Sequence, residues 1–193
     1  MTANKNYKLL LLQAKKFKVK NVILTNEKVF KKNKSIFIKY KIKIFNNFNN
    51  LDQIIKNKID YTMSSIVGIQ GLNPTINLIK FTKKIAIANK ESIICAWNIL
   101  SKELKKNKTK FIPVDSEHFS IWSVLKNIHN KNIDQIFITA SGGPFYKLPL
   151  SKFSQIKVKD AIKHPNWNMG KKISIDSATL MNKVFEVIEA KNI

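Results

Sequence analysis

Two short stretches, Val114-Asp115-Ser116-Glu117-His118 and Asp176 to Glu186, carry three carboxylates and a set of phosphate-type donors. Asp115 and Glu117 are two positions apart, which at an extended strand end points both side chains to one side. Glu186 follows Asn182 by four residues and Lys183 by three on a segment that reads as helix, so the three share a face. Oxygen-only ligands of this kind suit a hard divalent cation, Mg²⁺ or Mn²⁺. Ser177, Asn182 and Lys183 beside them are the donors expected around a phosphate. The combination indicates metal-assisted chemistry on a small phosphorylated substrate. Taken alone, Asp115-Ser116-Glu117 also reads as a helix N-cap with first-turn acids. His118 is either a further ligand or a structural residue.

The elements that must hold these residues alternate. Tyr7 to Phe17 places Leu9, Leu10, Leu12, Ala14 and Phe17 at helical spacing, and Val22-Ile23-Leu24 reads as a short buried strand. Phe30 to Asn50 is rich in Lys and Asn and reads as a surface helix and strand of low complexity. Leu51 to Ile59 predicts a helix, Tyr61 to Val67 a strand ending at Gly68, and Thr75 to Phe81 a helix. Ile85 to Ala88 is an apolar strand followed by a helix through Leu104. Phe111 to Val114 is another strand, Ile121 to Ile128 a helix, and Ile136 to Thr139 a strand running into Ser141-Gly142-Gly143-Pro144. On the last helix, Val184, Val187 and Ile188 read as its core side. Short apolar strands alternating with helices indicate a mainly parallel α/β sheet. In such sheets ligands bind beyond the carboxyl ends of the strands. Asn89-Lys90-Glu91, Asp115-Ser116-Glu117 and Ser141-Gly142-Gly143 each start where a strand is expected to stop, which argues for one shared site.

Composition limits the alternatives. The chain has 193 residues, 44% of them hydrophobic, enough for a packed core. A net charge of +23 points first to nucleic acid. Yet every basic residue is lysine, dispersed among Asn and Ile, and arginine, the usual reader of base edges, is absent. We therefore expect no nucleic-acid partner, and a positive field that attracts anionic substrates. The single Cys95 fits a reducing compartment. No apolar run reaches the roughly 18 residues needed to span a bilayer, so no membrane partner is expected.

Taken together, five motifs resemble the 1-deoxy-D-xylulose 5-phosphate reductoisomerase family. They are Ala88-Asn89-Lys90-Glu91-Ser92, Pro113 to His118, Thr139 to Phe145, His164-Pro165-Asn166-Trp167-Asn168-Met169-Gly170, and Lys172 to Lys183. Thr2 to Asn6 and Ile66 to Thr75 fit as well. The resemblance implies an incomplete Rossmann-like NADPH-binding domain over residues 1–114. The start of an α+β catalytic domain would follow over 115–193. It implies NADPH- and metal-dependent rearrangement and reduction of 1-deoxy-D-xylulose 5-phosphate to 2-C-methyl-D-erythritol 4-phosphate, in non-mevalonate isoprenoid synthesis. A homodimer is implied for the full-length enzyme, in bacterial cytoplasm or a plastid.

Carried over motif by motif, Asp115, Glu117 and Glu186 would hold the divalent cation. Lys90, Glu117 and His164 would be catalytic, with Lys90, Ser116 and Glu117 meeting the substrate's hydroxyl and carbonyl end. Ser141, Ser177, Asn182 and Lys183 would hold the phosphate with His164 close by. Trp167 and Met169 would form a flap, Glu186 would also face substrate, and Asn89, Glu91 and Gly170 would contact NADPH. Members of the family have a glycine-rich cofactor loop and a C-terminal helical domain, neither of which is recognisable here, and Val184 replaces their usual glycine. An incomplete enzyme without NADPH turnover of its own is the expectation. A related oxidoreductase on another sugar phosphate and an inert basic nucleic-acid-binding chain are the competing readings.

Overall fold

The computed structural model describes residues 1–126, 133–140, 142–163 and 170–193. Its first part alternates as expected. The order runs β1 (Thr2–Ala3), α1 (Tyr7–Lys16), β2 (Asn21–Leu24), α2 (Glu27–Lys39), β3 (Lys43–Phe45), α3 (Leu51–Ile54) and β4 (Ile59–Ser64). It continues with a 3₁₀ turn at Ile69–Gly71, α4 (Leu72–Ile79), β5 (Thr82–Ile87), α5 (Lys90–Lys106) and β6 (Lys110–Pro113). After Pro113 the described residues hold only helices: α6 (Ser116–Leu125), a 3₁₀ turn at Leu150–Gln155, α7 (Val158–Ala161), α8 (Lys171–Ala178) and α9 (Met181–Asn192).

All strand pairs are parallel, and they form two sheets, β1-β2-β3 and β4-β5-β6. Parallel neighbours need crossovers, which the intervening helices supply. Each sheet has its own core. Leu10, Ala14, Val22, Leu24, Phe37 and Ile42 pack the first, and Ile79, Ile85, Ile87, Ile93, Leu100 and Leu104 the second. An apolar groove of about 380 Å³ lies between them, lined by Met1 and Thr2 at the edge strand of one sheet and by Thr62, Met63 and Ser64 of the other.

Three asparagines of the Lys/Asn-rich composition start helices. Asn6, Asn26 and Asn89 each accept a hydrogen bond from the backbone N–H three residues on, at 3.1, 3.1 and 2.7 Å. Three lysines end them. Lys18, Lys41 and Lys108 adopt left-handed φ of 52°, 58° and 52° just past α1, α2 and α5. In each case the next residue's N–H reaches back to the helix, from Val19 to Ala14, Ile42 to Phe37 and Thr109 to Leu104, at 2.8, 3.0 and 3.0 Å. These are Schellman motifs, and each turns the chain directly into a strand.

Three expectations fail. The helix expected over Leu51 to Ile59 stops at Ile54, because Ile59 already pairs with Thr82 in the β4–β5 ladder. The strand expected at Ile136 to Thr139 is absent; no strand among the described residues pairs with it, and Phe137 is 82% exposed. Val184, Val187 and Ile188 are exposed on α9, which buries Glu186 and Glu189 instead. The cause is that α9 packs its polar side against α5 and α6, whose facing residues are Lys90 and His118.

Candidate metal and substrate site

The site begins at the end of β5. Asn89 caps α5 and also clamps the preceding loop, its Nδ2 donating to the carbonyls of Gly68 (2.7 Å) and Ile66. Gly71 must be glycine here, since a Cβ would stand 2.5 Å from the Ile66 oxygen and 2.8 Å from Asn89 Nδ2. With that turn fixed, Lys90 is aimed across the molecule. β6 delivers Asp115 at the N-cap position of α6, where its carboxylate makes no capping bond. It receives the Lys90 ammonium instead, at 2.7 Å. The plainer N-cap reading of Asp115 therefore holds for its backbone and not for its side chain. Glu117 sits in the first turn of α6 and not on an extended strand end, so helix geometry, not strand alternation, brings the two acids together. α9 supplies Asn182, Lys183 and Glu186 on one face, as expected.

These groups interlock. Lys90 Nζ also donates to Asn182 Oδ1 at 2.9 Å and lies 3.7 Å from Glu186 Oε1. Asn182 Nδ2 donates to Glu186 Oε1 at 2.5 Å. Lys183 pairs with Glu186 Oε2 and donates to the Thr139 carbonyl, and it is 3.7 Å from Glu117 Oε1. Ser116 Oγ donates to Glu117 Oε2 at 2.7 Å. Glu186 Oε2 is thus ion-paired with Lys183 while making no hydrogen bond of proper direction. Burial pulls the Lys90 ammonium down, but hydrogen bonding to Asp115 and the charges of Asp115, Glu186 and Glu189 hold it above the usual lysine value. Burial pushes Asp115 up, yet hydrogen bonding to Glu117 and Lys90 and the Lys90 charge keep it below the usual carboxylate range. Behind them Glu189 is buried and pushed up to about 8 by that burial, with the Asp115 charge adding to it.

Asp115, Glu117 and Glu186 offer oxygens that all lie within 4.8 Å of one another. Three carboxylates against the Lys90 and Lys183 ammoniums leave one unbalanced negative charge. The donor set is all oxygen, as a hard divalent cation requires. Asp115, His118 and Glu189 are equally close to one another. His118 and Glu189, however, do not line the cavity in front of the acids. That cavity, about 520 Å³, is bordered by Lys90, Asp115, Ser116, Glu117, Gly142, Ser177, Asn182, Lys183 and Glu186. The structure so brings eight of the expected site residues together. Glu91 stands aside, 3.3 Å from Lys172, and Asn89 is consumed in the turn. Gly170 is exposed at the start of α8. Ser141, His164, Trp167 and Met169 lie outside the described residues. Sequence reasoning missed Glu189, although Asn182, Glu186 and Glu189 recur at helical spacing and the pattern was there to be read.

Two family models match the chain. The one described as 1-deoxy-D-xylulose 5-phosphate reductoisomerase covers residues 1–97, and the one for the C-terminal domain of that enzyme covers 111–193. The enzyme of that name from Pelagibacter ubique is 62% identical over 195 residues, covering 100% of this chain and 50% of its own length. A Wolbachia enzyme is 43% identical over 194 residues, covering 100% and 49%. The chain therefore spans about half the length of the curated relatives it matches. Among solved structures, the Zymomonas mobilis reductoisomerase in complex with NADPH superposes with a TM-score of 0.87 at 33% identity, covering 99% of this chain and 49% of its own. A DOX-P reductoisomerase in complex with NADPH, fosmidomycin and magnesium superposes with a TM-score of 0.84 at 31% identity, covering 99% and 50%.

Proposed function

Because the chain belongs to the 1-deoxy-D-xylulose 5-phosphate reductoisomerase family, we propose that it serves the rearrangement and NADPH-dependent reduction of 1-deoxy-D-xylulose 5-phosphate to 2-C-methyl-D-erythritol 4-phosphate. One observation carries this reading: three carboxylates from α6 and α9 converge on a cavity that Ser177, Asn182 and Lys183 also line. Asp115, Glu117 and Glu186 would hold a divalent cation, Mg²⁺ or Mn²⁺. When bound there it would supply Lewis acidity to the substrate's carbonyl and neighbouring hydroxyl oxygens. NADPH, contacted by Glu91, Gly170 and the backbone at Asn89, would supply the hydride.

The chain's own groups do the rest. Lys90 and Lys183 offset two of the three acid charges, and with a divalent cation held by the carboxylates both ammoniums would be available to an anionic ligand. Lys183, Asn182 and Ser177 would then grip the phosphate, with Ser141 and His164 completing the pocket. Lys90, Ser116 and Glu117 would orient the hydroxyls and carbonyl, and Trp167 and Met169 would exclude water. Residues 1–114 would be the cofactor portion and 115–193 the catalytic portion. The whole protein would act as a homodimer in bacterial cytoplasm or a plastid, with neither nucleic acid nor membrane as partner. No helix among the described residues is long and apolar enough to cross a membrane.

The test is direct. In the whole protein, Asp115→Asn and Glu186→Gln should each weaken Mn²⁺ binding at least about tenfold and abolish substrate-dependent NADPH oxidation. Unchanged Mn²⁺ affinity, read by electron paramagnetic resonance, would remove those residues from the ligand set.

A further inference from the structure

Glu189 has no part in the reading above, yet it is 1% exposed and its Oε2 makes no hydrogen bond. It faces His118, also 1% exposed, whose Nδ1 is likewise unsatisfied. The other ring nitrogen, Nε2, lies 2.8 Å from the backbone oxygen of Glu186. A carbonyl can only accept, so Nε2 carries a proton and donates it. Nδ1 then points at Glu189 Oε2, 3.3 Å away, with Asp115 Oδ1 at 3.9 Å. The imidazole therefore bonds the backbone of one cation-ligand residue, Glu186, and stands 3.9 Å from the carboxylate of another, Asp115. Glu189 is the carboxylate nearest Nδ1, and it stands three residues beyond Glu186 on the same side of α9.

We propose that Glu189 is a positioning residue that locks the His118 ring, through which Glu186 and Asp115 are held at the separation a divalent cation needs. The proposal rests on the assignment of Asp115, Glu117 and Glu186 as ligands. Partners standing behind metal ligands typically change metal affinity about 10- to 100-fold when removed. The same group could alternatively take a second cation between Asp115, His118 and Glu189, an outcome the experiment separates.

Mn²⁺ is titrated into the whole protein by electron paramagnetic resonance for the wild type, Glu189→Gln and Glu189→Leu. The ring nitrogens of His118 are read in parallel by long-range proton–nitrogen NMR. Leucine, which fills the space without a hydrogen bond, should weaken Mn²⁺ about tenfold or more. Glutamine, whose amide can still bond Nδ1, should recover most of that loss, and His118 Nε2 should be protonated in the wild type. Leucine binding Mn²⁺ as the wild type does, glutamine no better than leucine, an unprotonated Nε2, or two Mn²⁺ per chain would each overturn the proposal. A leucine variant that does not fold leaves the wild-type spectrum and the glutamine titration to decide. A wild type that binds no Mn²⁺ overturns the ligand assignment itself, while the Nε2 signal still reports whether His118 is oriented as proposed.

Discussion

Lys90 holds together what would otherwise repel. Its ammonium touches Asp115 and Asn182 and faces Glu186, three groups brought from α6 and α9 to the head of α5. Lys90→Met keeps the stem and deletes the charge, stranding half-buried and buried carboxylates. In EDTA it should cost about 2–4 kcal/mol, read by urea unfolding, and Mn²⁺ should restore part of the loss. Glu189 gives a pH signature. Its carboxyl titrates near 4.5 when unfolded and near 8 when folded. Between these values the folded state holds more protons than the unfolded one, so this group makes stability fall as pH rises through that window. Metal-free melts should show that decline, and Glu189→Gln should flatten it; an unchanged slope would count against the shift. At this scale the sequence was informative about identity and less so about direction. Asp115 and Glu117 were rightly paired for a strand geometry that does not exist, because side-chain aim depends on which turn of helix follows β6. Lys90 could not be singled out among so many lysines without its partners, except through the family motif.

At the scale of elements, the strands and helices that carry the site were legible from apolar runs. β5, β6 and α5 fall within a few residues of their expected places, whereas α6 starts at Ser116, five residues ahead of the expected Ile121. What failed depends on partners far along the chain. The end of α3 is dictated by pairing with β5, and the outward apolar side of α9 by the charged groups it meets. Helix ends were illegible for another reason. Lysines occupy the left-handed positions where glycine is the usual signal, so Lys18, Lys41 and Lys108 looked like ordinary surface residues. Left-handed φ costs a residue with a Cβ about 1 kcal/mol. Replacing each of the three by glycine should therefore stabilise the protein by about 0.5–1 kcal/mol in urea unfolding, additively because the sites are separate. Gly71→Ala should do the opposite, losing about 1–3 kcal/mol as its Cβ meets the Ile66 oxygen.

For the molecule as a whole, composition misdirects if read alone. A charge of +23 spread over dispersed lysines opposes compaction, so the apparent melting temperature should rise as salt goes from about 0.01 M to about 0.1 M, where the screening length falls from about 30 to about 10 Å. Circular dichroism melts in a chloride series check this. The two parallel sheets were foreseen as one, since alternation of strands and helices does not say where a ladder is interrupted. The two sheets are leaves of unequal strength, because a ladder with fewer rungs opens more readily. The β1–β3 leaf, with two and three paired positions against five and four in the other, should exchange its amide protons first.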